Sequence, residues 1–278
     1  MSFSDEELDR YARHIILHDV GGAGQQKLQN ARVLVIGAGG LGSPVLMYLA
    51  AAGVGTLGII DDDVVSLSNL QRQIVHRTGD IGIPKVKSAA RTLKAINPHV
   101  TVNPYQERLS AQNALEILAP YDLVVDGSDN FKTRFLVNDA CFFAKKPLVS
   151  AAVAQFEGQI STYRAFESDA SGTPNPSYRC LLPEAPPPGM VPGCEEAGVL
   201  GVLTGIIGTM QGLEVIKEIL GIGESLVGKL LIYDALSASS TLIRIPWNPD
   251  NPLNGRNPVL HDLSCHEDVE EESCSLRR

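Results

Sequence analysis

Two cations, three carboxylates and a run of glycines carry the chemistry open to this chain. Arg72 and Lys85 follow shortly after Asp61, and Asp126 and Asp129 close a later apolar run. Ahead of them Gly37, Gly39 and Gly42 fall at G-x-G-x-x-G spacing, with Gly40 inside the motif. Glycines there let the backbone turn tightly and approach a phosphate. The helix that follows offers free N–H groups and the positive end of its dipole. Asp61 lies about 20 residues further on, where a carboxylate can take ribose hydroxyls. Cations that neutralise phosphates, a carboxylate for a hard Mg²⁺ ion, and neutral groups at Asn69, Gln71 and Gln73 together make the equipment of phosphate chemistry. The glycine fingerprint alone also fits an NAD-dependent oxidoreductase. A scaffold that binds nucleotide without turnover is a third reading, and the intact charged set argues against it.

The elements that must position these groups follow from periodicity. Val33 to Ile36 is a short β-branched run, read as a buried parallel strand, with a helix over Ser43 to Ala52 and a second strand over Thr56 to Ile60. Residues 62 to 73 read as a loop with at most one helical turn. Helices are expected over Lys85 to Ile96, Ala111 to Leu118 and Thr133 to Ala144. Strands are expected over Val100 to Tyr105, Leu123 to Val125 and Pro147 to Ala152. This alternation predicts an α/β fold, a Rossmann-like doubly wound sheet with helices on both faces. Strand carboxyl ends then converge on one crevice. Glu157 to Ala165 reads as an antiparallel strand, so the parallel N-terminal half continues into antiparallel strands. Lys229 to Tyr233 and Thr241 to Ile245 read as the last pair. An N-terminal helical segment spans Asp5 to Leu17, with Ser4 and Glu7 at capping-box spacing. Gly21 to Gln26 reads as a turn. Ser168 to Pro192 is too rich in proline and glycine for a regular element. Val199 to Leu220 reads as a helix with small residues at Gly201, Gly205 and Gly208 close to one face.

Length and charge bound the rest. With 278 residues, 44% of them hydrophobic, the chain can bury a large core. The net charge of −9 weighs against nucleic acid as a partner, including a tRNA carboxylate substrate. No apolar run is long enough to span a bilayer. The N-terminus lacks a signal core, and five scattered cysteines read as thiols of a reducing cytoplasm. One domain over 1–265 and a mobile tail over 266–278 are expected.

Gly37-x-Gly-Gly-Leu-Gly42, Asp61-x-Asp63, Ser68-Asn-Leu-Gln-Arg-Gln73, Pro84-Lys85 and Asp126-x-x-Asp129-Asn130 resemble the MoeB/ThiF family, bacterial relatives of ubiquitin-activating enzymes. The resemblance runs from Arg13 to about Ile245. Pro186-Pro-Pro-Gly-Met-Val-Pro-Gly-Cys194 and Ala197-Gly-Val-Leu-Gly201 look more like MoeB than ThiF, with no room for the rhodanese domain of some relatives. The resemblance implies an ATP-dependent adenylyltransferase. Its substrate would be the C-terminal Gly-Gly carboxylate of a ubiquitin-like sulfur carrier protein, similar to MoaD or ThiS. A separate sulfur donor protein would follow, for molybdopterin or thiamin-type sulfur transfer.

Carried over by position, the resemblance implies nucleotide contacts from Gly37, Gly39, Gly40, Gly42, Asp61 and Asp63. Ser68, Asn69, Leu70, Gln71, Arg72 and Lys85 would hold the phosphates. Asp129 would bind Mg²⁺, with Asn130 beside it. Arg13 would reach the ATP of the opposite subunit of a homodimer. Bland readings stand beside these: Arg72 and Lys85 as solvated charges, Asp129 as a helix cap, Arg13 paired with Asp9. Cys194 falls at the family's thioester or persulfide position, and an inert buried thiol is the alternative. Its flanking Glu195 and Glu196 oppose a thiolate. The family often holds a structural zinc with two Cys-x-x-Cys pairs. Here Ser177-Tyr-Arg-Cys180 stands at the first, and residues 256–263 hold none. A structural zinc is therefore not expected, although Cys180, His261, Cys265 and His266 offer four ligands. Without zinc, something else must tie the proline-rich loop to the C-terminal segment.

Overall fold

The computed structural model describes residues 3–184, 186 and 198–267. Eight strands form one sheet in the order β3-β2-β1-β4-β5-β6-β7-β8. The strands are β1 (Arg32–Ile36), β2 (Thr56–Ile60), β3 (Thr101–Tyr105), β4 (Leu123–Asp126), β5 (Leu148–Ala154), β6 (Glu157–Tyr163), β7 (Lys229–Asp234) and β8 (Ser239–Arg244). The first five run parallel, and β6 to β8 pair antiparallel. From β1 the chain moves outward to β2 and β3, then returns to β4 on the other side. That reversal opens a crevice at the carboxyl ends of β1 and β4, where Ile36 pairs with Asp126.

Alternation along β1 explains why both faces are covered. Val33 and Val35 point into one core with Leu57, Ile59, Leu203 and Ile207. Leu34 and Ile36 point into the other with Leu118, Tyr121, Phe135 and Val137. The described helices are α1 (Asp5–Ile15), α2 (Gly21–Asn30), α3 (Gly42–Ala52), α4 (Lys85–Ile96), α5 (Ala114–Leu118), α6 (Phe131–Phe143), α7 (Tyr178–Leu181) and α8 (Gly201–Leu220). Ser4 caps α1 with the full capping box to Glu7.

Two expectations fail. Residues 21–26 are not a turn but the start of α2. Glycine disfavours a helix on its own, yet tertiary packing decides here. A side chain at Gly24 would crowd Val20 and Leu220. Leu28 is fully buried, and buried Gln25 donates to the carbonyl of Ala52 at 2.8 Å. Within the proline-rich connection, Ser177 accepts from the Arg179 N–H and caps the short helix α7, which composition hid. The helix expected over Ala111 to Leu118 is real but begins at Ala114.

What ties that connection to the C-terminal segment is a charged clasp. Asp139 on α6 accepts from Arg179 Nη2 at 2.6 Å and from His266 Nε2 at 2.7 Å. Arg179 Nε reaches both Asp139 oxygens, at 2.9 and 3.2 Å. Burial pushes the Asp139 carboxyl up, but His266 and Arg179 together hold it below its ordinary value. His266, expected to begin the tail, therefore lies inside the fold; residues 268–278 lie outside the described residues. Asn251 adds a bond to Ser177 Oγ at 2.9 Å and one to Cys180 Sγ at 3.0 Å.

Candidate nucleotide site

A cavity of about 720 Å³ opens over the carboxyl ends of β1 and β4. Gly37, Gly39, Gly40, Asp61, Asp63, Arg72, Lys85, Asp129 and Asn130 all line it. They come from the β1–α3 loop, the end of β2, the loop before α4, the head of α4 and the β4–α6 loop. Gly42, Ser68, Asn69, Leu70 and Gln71 do not line it. Gly42 acts from behind: a Cβ there would fall 2.0 Å from the Gly37 carbonyl oxygen, so only glycine lets the loop close. Gly37 itself holds φ +90, a left-handed conformation that favours glycine. Residues 67–69 form a 3₁₀ turn that presents Arg72, whose N–H donates to the Asn69 carbonyl. Gln71 packs toward Gly201, at the head of α8.

The charges in the crevice are partly engaged. Lys85 is buried at the first position of α4, and its Nζ lies 2.7 Å from exposed Asp63. Arg72 makes one long bond, Nη1 to the Ser68 carbonyl at 3.3 Å. Asp61 accepts from the Ala38 N–H at 2.8 Å and from the Asp63 N–H at 2.9 Å. Burial pushes its carboxyl above the ordinary range, against the pull of Lys85 and those two amides. Gln73 Oε1 is buried without a hydrogen-bond partner among the described residues. A buried acceptor left open at a cavity wall is costly until a ligand or water donates to it.

The two acids of the β4–α6 loop separate. Asp126 is fully buried and spent on structure. Its Oδ1 accepts from the Ser128 N–H and hydroxyl, and its Oδ2 from Ser150. Arg134 Nε lies 3.4 Å from it. Asp129 is exposed on the cavity wall and takes a 3.4 Å bond from Asn130. The helix cap is Asn130, whose Oδ1 accepts from the Thr133 N–H, so Asp129 is free of that duty. The carboxylates of Asp61, Asp62 and Asp63 also offer oxygens within 4.8 Å of one another. An oxygen-only donor set fits a hard divalent cation.

Sequence reasoning missed three supporting side chains. Arg134 donates to the Ser128 and Ala151 carbonyls and lines the cavity. Its position four residues past Asn130, on the first turn after a strand end, was the available signal. Gln211 on α8 donates to the carbonyls of Asp126 and Val149, bridging β4 and β5 beneath the loop. His76 bonds the Ala38 carbonyl at 2.9 Å. Neither Gln211 nor His76 stands out in the sequence.

Arg13 is exposed on α1 and does not line this cavity. Cys194 lies outside the described residues. The four zinc candidates do not assemble: among the described residues Cys265 and His266 group with Asp139, not with Cys180 or His261. Arg179 already supplies the cation at Asp139, so the residues do not fit zinc.

The chain matches the ThiF family over residues 11–253. It is 51% identical over 277 residues to a "Sulfur carrier protein adenylyltransferase" of Thermus thermophilus, covering 100% of each. It is 52% identical over 251 residues to a "Probable adenylyltransferase/sulfurtransferase MoeZ" of Mycobacterium tuberculosis, covering 90% of this chain and 63% of that one. The fold is similar to the crystal structure of E. coli MccB with AMPCPP and MccA, at TM-score 0.75 and 22% identity. That likeness covers 91% of this chain and 75% of the other.

Proposed function

The chain belongs to the ThiF family, and on that premise we propose that its crevice joins AMP to the C-terminal Gly-Gly carboxylate of a ubiquitin-like sulfur carrier protein. It is a nucleotidyltransferase. A carrier carboxylate oxygen attacks the α-phosphorus of ATP. The bond from that phosphorus to the bridging oxygen breaks, and pyrophosphate leaves. The product is a carrier acyl-adenylate for molybdopterin or thiamin-type sulfur transfer.

The observation that carries this reading is that Arg72, Lys85 and Asp129 line one cavity with the glycine turn. Positive charge fixed beside developing phosphoryl charge lowers the barrier. Lys85 would leave Asp63 for the phosphates, and Arg72 would give up its long bond to the Ser68 carbonyl. Asp61 would take the ribose. Ser68 to Gln71 support the reading less directly, through the turn that presents Arg72. A Mg²⁺ ion held by Asp129, with the Asp61–Asp63 carboxylates near it, would neutralise phosphate charge. The exposed position of Arg13, off its own chain's cavity, supports a homodimer in which it serves the opposite site. Adenylation needs no thiol, so Cys194 would belong to a later transfer involving the sulfur donor. Among the described residues no helix is long and apolar enough to cross a membrane. We place the enzyme in the cytoplasm and assign 1–267 to one adenylation domain.

Exchange of labelled pyrophosphate into ATP tests the reading. Exchange should require a carrier ending in Gly-Gly. It should fall sharply in Asp129→Asn; exchange at the wild-type rate in that variant overturns the metal role.

A further inference from the structure

Ala38, in the middle of the glycine turn, has both sides of its backbone pinned. Its N–H goes to Asp61 Oδ2 at 2.8 Å. Its carbonyl faces His76 Nε2 at 2.9 Å. The next carbonyl, that of Gly39, accepts from the Ser43 N–H at 2.9 Å and from its hydroxyl at 2.6 Å. Peptide units are planar and those of the turn are trans, so each carbonyl points opposite to the following N–H. Fixing the Ala38 carbonyl toward His76 turns the Gly39 N–H the other way. Gly39 lines the cavity and His76 does not. Ser43 does the same for the Gly40 N–H.

The geometry points to His76 as a positioning residue. Its Nε2–H holds the Ala38–Gly39 peptide so that the Gly39 N–H faces the polyphosphate of a bound nucleoside triphosphate. A carbonyl only accepts, so Nε2 must carry a proton. Burial holds the imidazole below its ordinary range, and the Lys85 charge acts the same way, against Asp61, Asp80 and the Ala38 bond. The Ala38 carbonyl fixes a proton on Nε2 whatever Nδ1 carries. The ring is held from behind as well. Nδ1 lies 2.8 Å from Ser88 Oγ, Ser88 Oγ lies 2.6 Å from Asp80, and Asp80 lies 2.7 Å from Arg91. The strut thus reaches from α4 to a single peptide of the turn. Its consequence for ATP rests on the adenylyltransferase reading; the proton assignment does not.

Calorimetric titration of the full chain with Mg·ATP tests the consequence. His76→Leu keeps an apolar ring-sized filler but leaves a buried carbonyl bare, and should bind ATP roughly tenfold more weakly. His76→Gln, whose amide nitrogen reaches toward the Nε2 position, should recover most of that loss. In the exchange assay the KM for ATP should rise more than kcat falls. Nitrogen-15 NMR of labelled histidine in the wild-type chain gives a second readout, with His76 Nε2 protonated throughout the neutral range. A folded His76→Leu with wild-type ATP affinity, or an unprotonated Nε2, overturns the assignment. If the wild-type chain binds no ATP, the functional reading fails while the NMR still decides the strut.

Discussion

The molecule holds two charged constellations that differ in how completely their members satisfy one another. In the clasp, Asp139 receives Arg179, His266 and Asn138 together, and Arg179 also stacks 4.8 Å from the Phe135 ring centroid. Every oxygen of that carboxylate is used. In the crevice, among the described residues, Lys85 has one carboxylate, Arg72 has one long bond to a carbonyl, and Gln73 Oε1 has no partner. Both contain acids and cations near burial. A closed set holds chain segments together, whereas an open set is poised for a charged ligand. Counting charges would not tell the two apart; counting their partners does.

The largest expected effect lies on the open side. Arg72→Ala or Lys85→Ala should lower carrier-dependent pyrophosphate exchange by about 10²–10³-fold, the scale for one transition-state donor. Arg72→Ala should leave the urea midpoint nearly unchanged. A collapse of folding in Arg72→Ala would erase the distinction between the two sets. The clasp should respond the other way. Asp139→Ala strands a buried guanidinium and should cost about 3–5 kcal/mol in urea unfolding. Its exchange rate per folded molecule should stay near wild type. The double change Asp139→Leu with Arg179→Met should recover part of that stability, since two matched apolar groups need no partner.

A smaller effect sharpens the comparison at its border, in the strut behind the glycine turn. The Ser88 hydroxyl is the chief reason the Asp80 carboxyl lies below its ordinary value, aided by the Arg77 amide and Arg91 against burial. A depressed folded-state pKa contributes stability above the unfolded value. That contribution is lost as pH falls through the folded value. Ser88→Ala should therefore unfold about 1–2 kcal/mol more easily near neutral pH, with the gap closing below about pH 3.9. A gap that persists in acid would show that Ser88 acts through packing. The smallest effect belongs to metal removal. A chelator should leave the melting temperature where it was, because Arg179 supplies the clasp's positive charge. A marked drop would place a metal there.

Much of the crevice was legible because local sequence dictates it. Gly37, Gly39 and Gly42 announce a strand-turn-helix by steric need, and Asp61 closes the next strand. The parallel sheet with helices on both faces followed from the alternation of apolar runs with helices. What stayed hidden depends on contacts distant in sequence. Residues 21–26 have poor helix composition, and contacts with distant Leu220, from α8, and Ala52 help explain why α2 forms. Asp126 and Asp129 look alike in sequence. Ser128, Ser150 and Arg134 convert the first into a structural acid. The clasp joins Asp139 to His266 across 127 positions, and no spacing rule reaches that far.

Activation of a protein carboxylate by open charges at a glycine turn has a direct test. Intact-mass analysis of a Gly-Gly-ended carrier, incubated with the chain and Mg·ATP, tests it most directly. An AMP adduct should form on the carrier, absent when its terminal glycine is removed and absent with Lys85→Ala. A carrier that binds yet stays unmodified, or a chain that binds NAD more tightly than ATP, would contradict it.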